Sequence, residues 1–209
     1  MCVLREVLEN PSNSNTDSAL PIALGVGIGG DYIWGDLAKY PHLMIAGSTG
    51  SGKSVALNAI LLSLLFKLSP WNLQLLLIDP KAVEFSLYRG IPHLYQEVIT
   101  EMEDAVDALE NICEVMDQRY QLLSEKNVRN IEEYNQLKMV ESSRVGTTHD
   151  ATAEKSMSYI VVFIDELADL MITYGNKAAD PIGRISQKAR AAGIHLVLAT
   201  QRPTSDVIN

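Results

Sequence analysis

Apolar and polar positions along the chain predict one sheet of parallel strands. Four short apolar runs lack polar alternation and lie at residues 42–46, 73–78, 159–164 and 194–199. Runs of this kind are typical of strands that helices cover on both faces of a parallel sheet. The pattern therefore predicts an α/β fold with a doubly wound, mostly parallel sheet.

Helical patterns separate these runs. Residues 55–68 are apolar on nearly every side, as in a helix buried against a sheet, and Pro70 ends them. Residues 100–123 predict a longer helix, in which Thr100 and Glu103 form a capping box. Its apolar stripe recurs at three- and four-residue spacing: Val106, Leu109, Cys113, Met116, Tyr120 and Leu123.

A third helix is predicted to begin at Pro181, with Asp180 as its N-cap, and to end just before Gly193. It carries the best local group of cations in the chain: Arg184, Lys188 and Arg190. This cationic face is either a plain solvated surface or a basic patch for an anionic partner.

The remaining segments predict linkers and turns. Residues 10–18 are polar and indicate a linker, and residues 141–158, which include His149 and Asp150, predict a mobile surface loop without catalytic residues. Residues 20–34 predict a strand pair. Their glycine spacing indicates a tight turn rather than a dinucleotide fingerprint, because no helix follows directly. We divide the chain into residues 1–40, a linker with lead-in strands, and residues 41–209, the main domain.

Composition narrows the class of protein. The 209 residues are 47% hydrophobic, enough for one domain with a substantial core. A formal net charge of -9 excludes a surface that is basic all over, so any nucleic-acid contact must be a local patch. Two cysteines support neither a disulfide framework nor a zinc knuckle, and no segment predicts a membrane span or signal peptide. We expect the chain as given to be cytoplasmic.

The strongest chemical signal is the sequence GSTGSGKS at residues 47–54, between a predicted strand and a predicted helix. This context defines a Walker A phosphate-binding loop, whose glycines let successive N–H groups face one concavity. Lys53 is placed to reach the β and γ phosphates, and Ser54 offers its hydroxyl to Mg²⁺. We therefore predict ATP and Mg²⁺ as cofactors. The predicted nucleotide-binding residues are Gly47, Ser48, Thr49, Gly50, Ser51, Gly52, Lys53, Ser54 and Val55.

Acids and a polar side chain follow two other predicted strands. Asp165 and Glu166 end the run 159–164 in a Walker B arrangement, with Asp165 facing Mg²⁺ and Glu166 polarising the attacking water. Gln201 follows the run 194–199 and can hydrogen-bond a γ-phosphate or that water, as a sensor residue does. Lys53, Glu166 and Gln201 are therefore predicted catalytic residues, and Ser54 and Asp165 are predicted metal ligands.

Two other charged groups each have two interpretations. Asp79, Lys81 and Glu84 follow the run 73–78 and either border the nucleotide or a neighbouring subunit, or form a charged turn before the next helix. The outer face of the helix 100–123 is interpreted as a solvated acidic surface rather than a metal site. Its acids are Asp104, Asp107, Glu110, Glu114 and Asp117.

Five segments together resemble the motor domain of the FtsK/SpoIIIE family of DNA translocases. They lie at residues 47–54, 78–81, 90–94, 164–170 and 187–203. The last segment, QKARAAGIHLVLATQRP, is more specific than the Walker motifs. The resemblance runs from about Leu20 to the end of the chain and implies a RecA-like P-loop NTPase fold, truncated on its C-terminal side.

The resemblance also implies partners. It implies an ATPase that forms a homo-hexameric ring around double-stranded DNA and moves it during chromosome segregation at the division septum. Membrane anchoring in the bacterial inner membrane would come only from segments absent here. A ring ATPase usually completes its site with an arginine from the neighbouring subunit, and Arg184 or Arg190 are the candidates by helix position. Arg190 is the one we assign as catalytic.

The RecA-like order that this resemblance implies makes a further prediction. The run 194–199 would lie between the runs 42–46 and 159–164, with the run 73–78 at one edge. A fifth strand, after Asn209, would cover the free side of the run 42–46. Without it, we expect the chain in isolation to be poorly soluble or monomeric and to lack DNA-stimulated ATPase activity.

Three other functions share part of this pattern. A secretion ATPase would move protein and hydrolyse ATP regardless of DNA. A conjugative coupling ATPase would move DNA alongside a relaxase partner. A nucleotide-gated assembly protein would bind ATP with negligible turnover.

Overall fold

The computed structural model describes residues 4–9, 18–144 and 156–204. Its helices are α1 (Leu4–Glu9), α2 (Lys53–Lys67), α3 (Met102–Glu125), α4 (Ile131–Arg144), α5 (Leu167–Tyr174) and α6 (Asn176–Lys188). Its strands are β1 (Pro21–Val26), β2 (Tyr32–Asp36), β3 (His42–Ala46), β4 (Leu73–Ile78), β5 (Tyr159–Ile164) and β6 (Ile194–Thr200). The predicted polar linker at residues 10–18 lies almost wholly outside the described residues.

Strands β3 to β6 form one parallel sheet in the order β3-β6-β5-β4. This is the order predicted for the four apolar runs. Alternate residues of β4 enter different cores, because neighbouring side chains of a strand point to opposite faces. Leu76 and Ile78 pack with α3, α5 and α6, whereas Leu75 and Leu77 pack with α2. The sheet is therefore covered on both faces, as the lack of polar alternation predicted.

Strands β1 and β2 form a separate antiparallel hairpin, which confirms the predicted strand pair. The hairpin lies against α2, where Ile22 joins the same core as the α2 side chains. Ser63, a polar residue in this apolar helix, is fully buried and accepts a hydrogen bond from Ala23 N at 3.0 Å. A buried hydroxyl without a partner would be costly, so this bond explains why a serine is tolerated there.

Helix α3 confirms the predicted stripe but not its predicted start. The helix begins at Met102 with Glu101 at the N-cap position and no side-chain capping bond, so the capping box of Thr100 and Glu103 is wrong. Thr100 lies one residue too early for that role. The stripe is buried except at Tyr120, whose hydroxyl donates to the carbonyl of Lys188, and the acidic residues of the opposite face are all exposed.

Helix α6 begins five residues before the predicted start. Gly175, with φ of 49°, joins it directly to α5, so Asp180 is not an N-cap and Pro181 lies inside the helix. Pro181 is buried, and this packing offsets the missing backbone N–H. The helix ends at Lys188, so Arg190 lies in the following turn rather than on the helical face where it was predicted.

Helix α4 was not predicted. It extends through residues 141–144, where the sequence favoured a loop, so that part of the loop prediction is wrong. The rest of the predicted loop, with His149 and Asp150, lies mainly in residues 145–155, outside the described residues. Helix α4 docks where Ile131 N donates to the carbonyl of Ala191 at 2.9 Å.

Candidate nucleotide site

The phosphate loop connects β3 to α2 at the carboxyl edge of the sheet. Gly50 and Gly52 have φ of 82° and 96°, a conformation that residues with a Cβ rarely adopt. A Cβ at Gly47 would meet the Ser51 hydroxyl, so a side chain at this position would require Ser51 to move. Lys53 begins α2, and the loop therefore presents the unpaired N–H groups of a helix N-terminus to an anion.

These residues border an open cavity of about 340 Å³. Its lining consists of Ser48, Thr49, Gly50, Gly52, Lys53, Ser54, Val55, Glu84 and Gln201. Seven of these nine come from the predicted nucleotide-binding set, and Gln201 is the predicted sensor. Glu84 is the remaining residue, which places it beside the phosphate loop rather than in a remote turn.

Lys53 and Asp165 form a buried ion pair across this edge. Lys53 Nζ donates to Asp165 Oδ1 at 2.8 Å and to the Asp165 carbonyl at 2.6 Å. Burial raises the pKa of Asp165 above its ordinary value, although the hydrogen bond and charge of Lys53 act in the opposite direction. The negative charges of Glu84 and Asp79 raise this pKa further. Lys53, which is predicted to bind phosphate, is therefore paired in this structure with Asp165, which is a predicted metal ligand.

Glu166 is buried at the end of β5, and the end of β6 holds its carboxylate. Thr200 Oγ1 donates to Glu166 Oε1 at 2.7 Å, and Gln201 N donates to both carboxylate oxygens at 3.1 Å. Lys81 Nζ lies 3.9 Å from Glu166 and 3.3 Å from Asp169. The sequence placed Thr200 at this polar strand end, but its bond to Glu166 was not predicted.

Gln201 joins the phosphate loop to Glu166. Thr49 Oγ1 donates to Gln201 Oε1 at 3.1 Å, while the backbone of Gln201 contacts the Glu166 carboxylate. Ser54 Oγ lies 2.5 Å from Glu84 Oε1. The structure therefore brings Lys53, Ser54, Asp165, Glu166 and Gln201 to one edge of the sheet.

Neither candidate arginine reaches this edge within one chain. Arg184 pairs with Asp117 at 3.0 Å on the exposed surface between α6 and α3. Arg190 is exposed and precedes β6, so it lies at the amino ends of the parallel strands, opposite the phosphate loop. Any role of Arg190 at a nucleotide therefore concerns the site of another subunit.

Residues for a magnesium ion are present at the loop. Among the described residues, no group of three or more His, Cys, Asp or Glu side chains is placed to hold a metal ion alone. Magnesium is commonly bound by one or two carboxylates together with substrate phosphates. The hydroxyl of Ser54 and the carboxylate of Asp165 are oxygen donors of the type this ion prefers, and they fit that kind of site.

A glycine-rich phosphate loop, a helix N-terminus and two strand-end acids at one edge of a parallel sheet define a P-loop ATPase of the α/β class. The FtsK/SpoIIIE family model matches residues 3–205, so the chain belongs to the FtsK/SpoIIIE family. A relative in Pasteurella multocida, named DNA translocase FtsK, is 50% identical over the whole chain, which spans 24% of that protein.

Two solved structures share the fold. The conjugation coupling protein TcpA of pCW3, solved with ATPγS, is 30% identical with a TM-score of 0.72; the match covers 92% of this chain and 51% of TcpA. The cytoplasmic domain of the type VII secretion ATPase EccC of Thermomonospora curvata is 25% identical with a TM-score of 0.72. That match covers 89% of this chain and 22% of EccC.

No helix within residues 4–9, 18–144 and 156–204 is both long and apolar enough to cross a lipid bilayer.

Proposed function

We propose that this chain is part of the motor of an ATP-driven translocase of double-stranded DNA. The observation that carries the proposal is the buried Glu166 carboxylate, held beside the phosphate loop by Thr200 and Gln201. The 50% identical relative named DNA translocase FtsK supports DNA as the cargo. In the whole protein we place this motor in chromosome segregation at the division septum, with any membrane anchor outside this chain.

The chain's own residues divide the work of ATP hydrolysis. Backbone N–H groups of residues 47–54 bind the phosphates, and Lys53 exchanges Asp165 for the β and γ phosphate oxygens. Ser54 and Asp165 would hold Mg²⁺, which supplies charge neutralisation at the phosphates. Glu166 accepts a proton from the attacking water and orients it. Gln201 links the loop to Glu166 and reports the state of the γ-phosphate.

The arginine of a neighbouring subunit completes the proposed site. Arg190 is exposed and lies opposite its own phosphate loop, so in a homo-hexameric ring it would serve the nucleotide of the next subunit. Mixing Glu166→Gln subunits with Arg190→Ala subunits tests this role. A trans site predicts mixed-ring ATPase kinetics that neither parent shows, whereas rates that simply average the two parents would rule it out. Arg184→Ala is the matched control, because Arg184 pairs within its own chain.

Two alternatives are a conjugative DNA pump and a protein-secreting ATPase. The structural similarity to TcpA supports the first and the similarity to EccC supports the second. ATP turnover by a version extended to a complete motor, with and without double-stranded DNA, separates the classes. A translocase predicts turnover stimulated by DNA and displacement of a third strand from a DNA triplex. Turnover indifferent to DNA would favour protein secretion, and ATP binding without turnover would indicate a nucleotide-gated assembly protein.

A further inference from the structure

Glu84 lies beside the hydroxyl that would bind Mg²⁺. The Ser54 hydroxyl donates to Glu84 Oε1 at 2.5 Å, and Glu84 lines the cavity of the phosphate loop. Burial is the larger cause of the raised pKa of Asp165, and the negative charge of Glu84 raises this pKa further. The two carboxylates are therefore close enough to interact electrostatically. The Walker motifs do not include this acid, which lies 30 positions from Ser54 along the chain.

The loop that carries Glu84 is fixed to the sheet. Asp79 Oδ2 accepts a hydrogen bond from Phe85 N at 2.9 Å, and both side chains are fully buried. The ring of Phe85 meets the ring of Phe163 edge-on, with centroids 6.1 Å apart. Phe163 belongs to β5, the strand that ends at Asp165. The backbone on one side of Glu84 is thus held by the strand that carries the Walker B acids.

The same loop is fixed to the helix of the phosphate loop. The Tyr88 hydroxyl donates to Asn58 Oδ1 at 2.6 Å, and Asn58 Nδ2 donates to the Ser54 carbonyl at 2.9 Å. This chain of bonds ends at the residue whose hydroxyl contacts Glu84. The position of Glu84 relative to Ser54 is therefore fixed from two sides, as a positioning role requires.

Hydroxyl chemistry makes the contact compatible with metal binding. A serine hydroxyl has one O–H donor and two lone pairs, so donation to a carboxylate leaves lone pairs for a cation. In this structure Asp165 Oδ1 accepts from Lys53, and the carboxylate that accepts from the Ser54 hydroxyl is that of Glu84. Groups that hydrogen-bond metal ligands fix the orientation of those ligands and raise their basicity.

We propose that Glu84 is a positioning residue for Mg²⁺: its carboxylate accepts a hydrogen bond from the Ser54 hydroxyl and turns the hydroxyl oxygen toward the ion. This role rests on the proposed function, in which the chain binds ATP with Mg²⁺.

The test compares affinity for a fluorescent ATP analogue in Mg²⁺ and in EDTA. For the parent protein we expect tighter binding in Mg²⁺. Glu84→Ala should reduce the ratio of the two affinities by about 10- to 100-fold, almost all of it from weaker binding in Mg²⁺. Glu84→Gln keeps an acceptor oxygen without the charge and should give a smaller reduction. Glu114→Gln, on the exposed face of α3, is the matched control and should leave the ratio unchanged.

A double-mutant cycle shows whether Glu84 acts through Ser54. In a Ser54→Ala background the further change Glu84→Ala should have little effect on the ratio, because its hydrogen-bond donor is already gone. If the effects of Ser54→Ala and Glu84→Ala on the affinity ratio were additive, Glu84 would not act through Ser54 and the proposal would be overturned.

Other outcomes separate this inference from the proposed function. A parent protein whose affinity is the same in Mg²⁺ and EDTA would contradict the proposed use of Mg²⁺–ATP. A metal-dependent parent with an unchanged Glu84→Ala ratio would overturn the role of Glu84 alone. Equal weakening of Glu84→Ala in both conditions would mean that Glu84 supports the loop rather than the ion, and would also overturn it.

Discussion

Thr200 is one of the two residues whose hydrogen bonds hold the Glu166 carboxylate. Its side chain is fully buried, its hydroxyl donates to Glu166 Oε1 at 2.7 Å, and the same oxygen accepts a bond from Arg202 N at 3.0 Å. A hydrogen bond to a charged group contributes about 1.5–3 kcal/mol, more than one between neutral groups. The orientation of the Glu166 carboxylate is therefore tied to the segment that follows β6.

Thr200→Val should lower the turnover number by about 10- to 100-fold, because it removes this bond without changing the shape of the side chain. ATP affinity should stay close to that of the parent, since Thr200 does not line the phosphate cavity. Thr200→Ser should retain activity. Steady-state kinetics and nucleotide titration give both numbers, and Thr173→Val on α5 serves as a surface control. Loss of affinity at unchanged turnover would contradict the assigned role.

His195 makes stability depend on pH. Burial lowers its pKa from 6.5 to about 4, while the Pro41 carbonyl, which accepts from Nδ1 at 3.0 Å, opposes this. The charges of His42 and Arg190 lower this pKa further, and the charge of Asp36 raises it. The ring of Tyr159 packs against the imidazole, with the two ring centroids 6.0 Å apart. Between these pKa values the unfolded chain binds the proton and the folded chain does not.

Folding stability should therefore fall as the pH drops from about 6.5 toward 4, with His195 contributing a loss of about 3 kcal/mol. Urea unfolding at pH 7.5 and pH 4.5 measures this loss. His195→Gln removes the titrating ring and should show a smaller drop between the two pH values than the parent. An equal drop in both proteins would show that His195 is not the group responsible.

At the scale of elements, the turn between α6 and β6 depends on glycine. Gly193 has φ of 69°, and a Cβ there would lie 2.4 Å from Cδ1 of Ile131 on α4. Residues with a side chain pay about 1–2 kcal/mol for this backbone conformation before any clash is counted. The turn thus couples the docking of α4 to the start of the central strand β6.

Gly193→Ala should lower the free energy of unfolding by about 2 kcal/mol or more. Gly183→Ala is the matched control, because Gly183 lies inside α6 with open space around its Cα. That change should stabilise the protein by about 0.5–1 kcal/mol. Chemical unfolding of both variants checks the pair, and a Gly193→Ala protein as stable as the parent would refute the stated strain.

The sequence predicted an element correctly where a strong local pattern determines its structure. The four apolar runs of the parallel sheet and the phosphate loop fall where the sequence placed them, because buried strands and glycine loops have strong local patterns. The predicted start of α6 was wrong because tertiary burial of Pro181 overrides its usual place in a first turn. The contacts of Thr200 with Glu166 and of Glu84 with Ser54 were not predicted, because these partners are distant in sequence.

At the scale of the whole molecule, β3 is the exposed edge of the sheet within the described residues. It pairs with β6 on one side, and Met44 in its middle is 39% exposed. An unpaired edge with apolar side chains favours association with other chains. The expectation that a further strand covers this edge in the complete motor stays a prediction.

We therefore expect the 209-residue chain in isolation to be poorly soluble or monomeric, without DNA-stimulated ATPase activity. Light scattering and an ATPase assay on one preparation measure both properties. A monodisperse hexamer with DNA-dependent turnover would show that the edge needs no further strand and would refute this expectation.

The central claim is that Glu166 activates water while Lys53 binds phosphate, and one experiment in a version extended to a complete motor tests it most directly. ATP binding and turnover are measured together for the parent, Glu166→Gln and Lys53→Ala. Glu166→Gln should bind ATP like the parent with turnover reduced at least about 100-fold, because glutamine cannot accept the proton. Lys53→Ala should lose turnover and bind ATP weakly. Parental turnover by Glu166→Gln would contradict the account.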